Sequence, residues 1–449
     1  MTKHQKGLIP GRSSTQQFLF YKTDAAPGIA EADSRPKADP DHLAPAFEEV
    51  LTDNALIEAA MSHLASFSKF GAMVIRLDNS SQEENESEQN LIPEIMADVA
   101  KTIDDICKEE NGVWGQIEQN TFGCFLPEKN AENCLRLSEK IQNYLEEHQG
   151  QTVTVGIAVY PTKNFKKRQI IENARKALDH AAFFGPKSAV CFDAVSLNIS
   201  GDKRYQLGDL NGAIEEYKLA LMLNPSDINV HNSLGVCYGE LEDFDRALEE
   251  FETAIWLDSE EVMAIYNAGV ANLFLANKNK ALEYFLAAYR LEENVFEVLF
   301  QTGKLYLEMG ENEKAKNLFE KAVELRPDSP AAYRFLGECF EAANKTETAI
   351  QAYKKAVKLN PNDAASLSSL GYLFHIQGEN PEVATVFCQK SVEISPETPL
   401  FRNRLGQLYL KENRLDDALK EFEEAEKLGF DATGYIEKIK KQKIEELGN

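Results

Sequence analysis

"GDLNGAIEEYKLALMLNPS", residues 208–226, decides the architecture of the larger part of the chain. It opens on a Gly-Asp turn and continues through a small residue at Ala213, an aromatic at Tyr217 and a second small residue at Ala220, closing on Pro225. The same order recurs around glycines at 201, 235, 269, 303, 337, 371 and 406, a 34-residue step with a single 35 before the last. Twelve residues after most of these glycines stands an alanine: Ala213, Ala247, Ala281, Ala315, Ala349 and Ala418, with Ala384 one place late. Four further on comes Tyr217, Phe251, Phe285, Phe319, Tyr353 or Phe422, with Cys388 as the exception. Proline closes four units, at Pro225, Pro327, Pro361 and Pro396.

Each unit reads as two helices joined by a short turn, where "GDLNGA" and "GENEKA" supply the Gly and Asn that turns favour. The small residues let the two helices approach, and the aromatic is expected to fill the gap between neighbouring units. No single unit buries its apolar face alone, so the units stack through nearest-neighbour interfaces. At these residues the chain resembles the tetratricopeptide repeat (TPR) family, seven times over 196–431, with Asn272 where an aromatic is usual and one residue inserted near Pro381. The resemblance implies an all-α superhelix whose first helices line a concave, protein- or peptide-binding groove. In the third unit the positions left over from the core are Met263, Tyr266, Val270 and Leu273, since Ile265, Ala268 and Gly269 take the core slots. In the fourth they are Glu297, Phe300, Lys304 and Leu307. An exposed apolar stripe rimmed by charge at these positions points to a protein or peptide partner. The paired Lys and Asn with which some members grip a terminal carboxylate are absent: Asn232 is followed by Val236, and Lys304 is preceded by Phe300. Residues 432–449 read as a capping helix, with Tyr435, Ile436 and Ile439 on one face; a partner- or membrane-surface helix is the other reading.

The totals exclude several classes. A chain of 449 residues, 43% hydrophobic and 27% charged, suits two or three soluble domains. No run approaches the ~20 apolar residues of a membrane span, and the basic N-terminus has no apolar region behind it to make a secretory signal. The net charge of −25 argues against nucleic acid, whose phosphates need clustered cations. Seven cysteines stand singly, without a C-x-x-C pair, and the seven histidines are equally dispersed. This is the pattern of buried free thiols in a reducing cytoplasm, with no metal or other cofactor expected.

The first part of the chain has a different texture. Residues 1–44 are rich in Pro, Ala, Asp, Ser and Lys without periodicity, and read as a disordered tail. Over 45–195 the order is a helix "AFEEVLTDNALIEAAMSHLASF", a strand "GAMVIRLD", an acidic loop, helix 91–110, the hairpin "GQIEQNTFGCFLP", helix 130–148, strand "TVTVGIAVYP", helix 167–183 and strand "SAVCFDA". That order predicts an α+β domain with helices packed on an antiparallel-rich sheet. "TVTVGIAVYP" and "IIENARKALDHAAFFGPKSAVCF", with Leu51-Thr52 in the opening helix, resemble the GGDEF (diguanylate cyclase) family.

The resemblance places the family's signature turn on Glu118, Gln119, Asn120, Thr121 and Phe122. The family's reaction condenses two GTP molecules around Mg²⁺, which takes oxygen ligands. Here Glu118 and Gln119 stand for the two glycines, Asn120 and Thr121 for the acidic pair, and Arg76 for the metal aspartate; Phe122 alone matches, as a packing residue. Asp78 is the carboxylate left nearby. The expectation is a degenerate, non-enzymatic domain in a cytoplasmic bacterial scaffold of signalling or assembly. A regulator responsive to guanine nucleotide or cyclic di-GMP is the alternative, and an active diguanylate cyclase the least favoured reading. Oligomeric state is not legible.

Overall fold

The computed structural model describes residues 43, 47, 50–78, 92–378 and 380–447. The tail expected over 1–44 lies outside these residues except at Leu43, and the acidic loop 79–90 lies outside them altogether. The chain forms two compact units, Met1–Leu275 and Ala276–Asn449.

The first unit begins with strand β1 (Leu51–Thr52), helix α1 (Asp53–His63), β2 (Phe70–Leu77), α2 (Ile92–Glu109), β3 (Val113–Glu118), β4 (Thr121–Pro127), α3 (Ala131–Gln149), β5 (Val153–Tyr160), α4 (Ile170–Ala181) and β6 (Ala189–Cys191). The six strands make one sheet in the order β1-β3-β4-β2-β5-β6. Its three central pairings are antiparallel, and the two edge pairings, β1 with β3 and β5 with β6, are parallel. The sheet is therefore mixed.

Alternation along the strands sends side chains to two faces. Met73, Ile75, Phe122 and Val155 join Val99 and Ile103 of α2 and Ile141 of α3 in one core, and Leu43 is fully buried in that same core. On the opposite face a Cβ on Gly123 would meet Leu56 of α1 and Ile171 of α4, and one on Gly156 would run into the backbone of α4 between Ala174 and Leu178. The glycine of "VTVGIAVY" thus sets how closely α4 approaches the sheet.

The opening helix is shorter than its sequence suggests. Leu51 and Thr52 are strand residues, paired in parallel with Gly115 and Gln116, and the helix starts at Asp53. Gly115 explains the difference: a side chain there would collide with the Leu51 carbonyl, so the missing Cβ admits the extra strand.

Helix pairs follow. In the first unit these are α5 (Ala194–Gln206) with α6 (Leu210–Leu223) and α7 (Ile228–Glu240) with α8 (Phe244–Leu257), then α9 (Val262–Phe274). The second unit holds α10 (Lys278–Leu291), α11 (Phe296–Glu308), α12 (Asn312–Leu325), α13 (Pro330–Ala342), α14 (Thr346–Leu359), α15 (Ala364–Gln377), α16 (Pro381–Ile394), α17 (Pro399–Lys411), α18 (Leu415–Lys427) and α19 (Thr433–Leu447).

The repeated residues act within a unit of the repeat. A Cβ on Gly201 would lie 2.5 Å from the Tyr217 ring, and one on Gly235 would lie 2.5 Å from Phe251. Gly303, Gly337 and Gly406 face Phe319, Tyr353 and Phe422 in the same way. The aromatic therefore seats on the glycine of its own helix pair, and Phe319 also stacks on Phe335 of the next pair at 5.4 Å, in the gap between pairs. In the pair without an aromatic, Gly371 instead faces the Ala384 carbonyl and the Cys388 thiol.

A second regularity sits seven residues after each glycine, where the turn takes positive φ at Gly208, Glu242, Ala276, Gly310, Asn344, Gly378 and Asn413. Only three of these are glycine, although an L side chain in this region costs about 1 kcal/mol. At the end of the chain α19 lays Ile436 and Ile439 into the core that holds Phe422, and Tyr435 stacks on Phe422 at 4.7 Å.

Candidate functional site

Two places in the structure bear on function: the hairpin of the sheet and the faces of the first helices. The hairpin is tighter than the four-residue turn its sequence suggests. Glu118 and Thr121 pair across the strands, leaving Gln119 and Asn120 as the turn, because a bulge between Gln116 and Glu118 absorbs a residue. The tip is tied down on every side. Gln116 Nε2 donates to the Gln119 carbonyl at 3.0 Å, the Thr121 hydroxyl donates to Asn120 Oδ1 at 3.1 Å, and the Leu77 amide donates to the Asn120 carbonyl at 3.0 Å. Phe122 is fully buried, edge-on to Trp114 at 6.1 Å.

Strand register brings Arg76 opposite Thr121 on one side and Thr154 on the other. Arg76, Asp78, Asn120, Thr154, Gly185 and Pro186 border a cleft of about 380 Å³. The hairpin tip and Arg76, separated by more than forty residues of sequence, do share one site. Asp78 is engaged there: Oδ1 accepts from the Thr154 hydroxyl at 2.6 Å and Oδ2 from the Lys187 amide at 2.9 Å. Both oxygens fasten neighbouring backbone elements in place. Among the described residues no three His, Cys, Asp or Glu side chains converge as around a metal ion.

Glu118 faces Arg175 of α4, with Nη1 to Oε1 at 3.5 Å. The next residue, Lys176, points the other way and places Nζ 2.8 Å from both carboxylate oxygens of Glu216 on α6. Adjacent side chains of α4 thus join the hairpin tip to the first helix pair. In the sequence Arg175 and Lys176 stand in a helix that also carries Glu172, Asn173, Asp179 and His180, and nothing there named their partners.

The seven cysteines are all free thiols. Cys107, Cys124 and Cys134 meet in the sheet core, where a hydrogen bond to Cys107 and burial push the Cys124 thiol up, and burial pushes Cys134 up to about 12. Thiols held this far from ionisation pack as small apolar groups.

The first helices carry the candidate partner residues. In the first unit Tyr266 is 2% exposed and Val270 0% exposed, while Met263 and Leu273 are half-buried. The exposed stripe expected on this helix is therefore corrected: its two central members are withdrawn from solvent. In the same unit Asn267 Nδ2 donates to Asn232 Oδ1 at 3.0 Å, a buried polar contact between α9 and α7.

In the second unit Phe300, Lys304 and Leu307 of α11 are half-exposed. Phe300 packs edge-on to Phe319 and Phe335 at 5.9 and 5.5 Å and stacks on Phe296 at 5.5 Å. Cations lie over these rings: Lys304 Nζ is 6.0 Å from Phe300 and 5.8 Å from Phe335, and the Arg334 guanidinium is 4.5 Å from Phe335. Burial pulls the Lys304 ammonium below its usual pKa, and nearby Arg334 adds to that against Glu308. Across the face Glu338 is pushed up by burial, with Arg334 and Arg404 opposing the shift. The arrangement is a half-exposed aromatic floor rimmed by long cationic side chains, a form suited to apolar side chains and to flat or charged groups presented by a partner.

Tetratricopeptide repeat models match residues 300–382, residues 228–261 and 401–428, and a TPR repeat model matches 201–242. The chain carries tetratricopeptide repeats. No curated protein matches it. Among solved structures it is similar to MamA, with 29% identity over 36% of this chain and 96% of that chain and a TM-score of 0.34. It is also similar to YrrB, described as a TPR protein with an unusual peptide-binding site, at 20% identity over 42% and 96% with a TM-score of 0.38. A tetratricopeptide repeat protein from Parabacteroides merdae is 19% identical over 55% and 96%, with a TM-score of 0.41. Among the described residues no helix is long and apolar enough to cross a membrane.

Proposed function

We propose that this protein is a non-enzymatic interaction scaffold, working in the bacterial cytoplasm in signalling or assembly, whose repeats hold a protein or peptide partner on the first-helix face of the second unit. The observation that carries this reading is the half-exposed face of Phe300, Lys304 and Leu307 with Phe335 and Arg334 beside it. Aromatic and cationic side chains of this kind supply most of the energy at interfaces. The sheet of the first unit is a GGDEF-like domain that has lost its cyclase chemistry and serves as a second docking module. In support, Arg76 stands at the metal position, Asp78 is spent on Thr154 and Lys187, and Glu118 faces Arg175.

The test is an affinity pull-down comparing wild type with Phe300→Ala plus Lys304→Glu, both first checked for unchanged helical circular dichroism. Partners retained by wild type and lost by the variant are expected. Identical recovery from both baits would sink the groove reading.

The alternative, a regulator responsive to guanine nucleotide or cyclic di-GMP, has the open cleft beside Arg76 in its favour. Calorimetry with GTP, cyclic di-GMP and Mg²⁺ separates the two: micromolar binding replaces the docking-module reading with a sensory one.

A further inference from the structure

The two most exposed large apolar side chains among the described residues are Trp256, 82% exposed, and Ile444, 71% exposed. Repeat packing does not call for the first. At its place in the other repeats stand Met222, Arg290, Glu324, Lys358, Glu393 and Lys427, so charge is the usual choice there. The second stands on α19 beyond Ile436 and Ile439, which already serve the core. Each is set among charges, and the two sets differ in sign. Asp245, Glu249 and Glu252 form the exposed row of α8 that ends in Trp256, at helical spacings of four, three and four residues. Arg246, the one cation of α8, is turned to Asp243, with Nε donating to Oδ2 at 2.7 Å. On α19 the exposed Lys440 and Lys441 stand four and three residues before Ile444, and with Lys438 they outnumber Glu437 behind them.

We propose that these patches are the two halves of one contact between copies of this chain, α8 of one copy receiving α19 of the next. Charge complementarity selects a second copy as the occupant, because the chain itself carries both halves. The carboxylates of Glu249 and Glu252 meet the ammonium groups of Lys440 and Lys441, while Trp256 and Ile444 cover each other, an apolar centre with a charged rim. The spacing agrees as well. Charge lies one turn before the apolar residue on both helices, so the patches match when the helices lie side by side in the same direction. Neither patch fits its own kind: two α8 rows would set carboxylate against carboxylate, and two α19 rows ammonium against ammonium. The contact is therefore heterologous, each copy keeps one patch of each kind open, and assembly proceeds head to tail. A tryptophan buries ~150–250 Å² and the whole contact is small, so its Kd lies in the ~10–100 μM range and rises with salt. The partner face proposed above lies on other residues, so either reading stands or falls without the other.

The test is sedimentation velocity of the full chain in low salt over ~5–500 μM, a range that brackets the expected Kd. Wild type is expected to grow beyond a dimer as concentration rises, and Trp256→Ser to weaken that association at least tenfold. Two charge-reversed proteins then decide whether the contact is heterologous: Glu249→Lys plus Glu252→Lys, and Lys440→Glu plus Lys441→Glu. Each alone is expected to be monomeric, because its two patches now carry the same sign. Mixed in equal amounts they are expected to associate again, because every pairing between them joins opposite signs. All five substituted residues are exposed, and circular dichroism checks that the variants fold as wild type does. A wild type that stays monomeric, a Trp256→Ser protein that associates as wild type does, a reversed protein that associates alone, or a mixture that stays monomeric overturns the proposal.

Discussion

Replacing Gly235 by alanine tests the packing rule of the repeats, because two effects of opposite sign meet at that residue. Gly235 lies inside α7, where alanine is favoured over glycine by about 1 kcal/mol in a helix interior. The added methyl would sit 2.5 Å from Phe251 Cε1, 2.8 Å from Cδ1 and 3.0 Å from Cζ. Carbon atoms settle ~3.5–4.0 Å apart, so the ring or the helix must move by roughly 1 Å. Phe251 is fully buried, in an interior that packs as densely as protein cores generally do. Overpacking of this kind costs ~1–3 kcal/mol, and at three ring atoms the upper part of that range applies. The net expectation is a loss of ~1–2 kcal/mol despite the better helix former.

Stacked repeats need not unfold in one step, so urea unfolding by circular dichroism is best paired with hydrogen exchange of the α7 and α8 amides. Phe251→Leu shortens the ring that the methyl would strike. The double variant Gly235→Ala plus Phe251→Leu is therefore expected to be more stable than the sum of the single losses, by ~1 kcal/mol or more. Gly434→Ala is the control, since nothing lies within 4 Å of a Cβ there and only the propensity gain remains. A Gly235→Ala protein as stable as wild type would refute the claim that ring on glycine sets the distance between paired helices.

Three further expectations can be checked alongside. Glu242→Gly releases a left-handed non-glycine turn at φ 61° and is expected to stabilise the second helix pair by up to ~1 kcal/mol in the same urea assay. Lys176→Met strands the buried Glu216 and should cost toward the lower end of ~3–5 kcal/mol, because Arg204 Nε stays 3.7 Å from that carboxylate; Lys176→Met plus Glu216→Leu should recover most of the loss in thermal melts. Burial pulls the His231 pKa down, but hydrogen bonds with Glu250 and the Pro225 carbonyl outweigh it and leave the value raised above 6.5. Its stabilisation is then complete below pH 6.5 and fades as pH rises through the folded value, whereas His180 and His375, lowered chiefly by burial, contribute above 6.5 and lose that as pH falls. An NMR titration of the imidazoles placing His231 below the other two would contradict this order.

Periodicity made the repeats legible because each repeated residue answers a local demand: a glycine under a ring, an alanine where helices touch. The turn positions were only partly legible, since Glu242 and Ala276 accept positive φ without the glycine that would have advertised it. Exposure was the least legible property. Tyr266 and Phe300 occupy the same place in successive repeats, yet one is buried and the other half-exposed. Leu51-Thr52 read as helix because its neighbours are good helix formers, and a glycine more than sixty residues later made it a strand.

The charged residues of the hairpin make physical sense together once α4 is considered. Glu118 places a carboxylate at the tip, and Arg175 lies within ion-pair distance of it from the helix behind. Lys176, on the next step of that helix, holds Glu216 of the first repeat pair with both side chains about nine-tenths buried. Asp78, the carboxylate that remains beside Arg76, fixes β5 through Thr154 and the β6 approach through the Lys187 amide. Each charged group has thus been turned toward another part of the same chain. A site built to hold metal and phosphate must leave its ligands free to face solvent and substrate. Here the same positions are used to lock the sheet to α4, and α4 to the repeats. Under the GGDEF-like reading proposed above, loss of the ligand set and attachment of the domain to the repeats are two descriptions of one change.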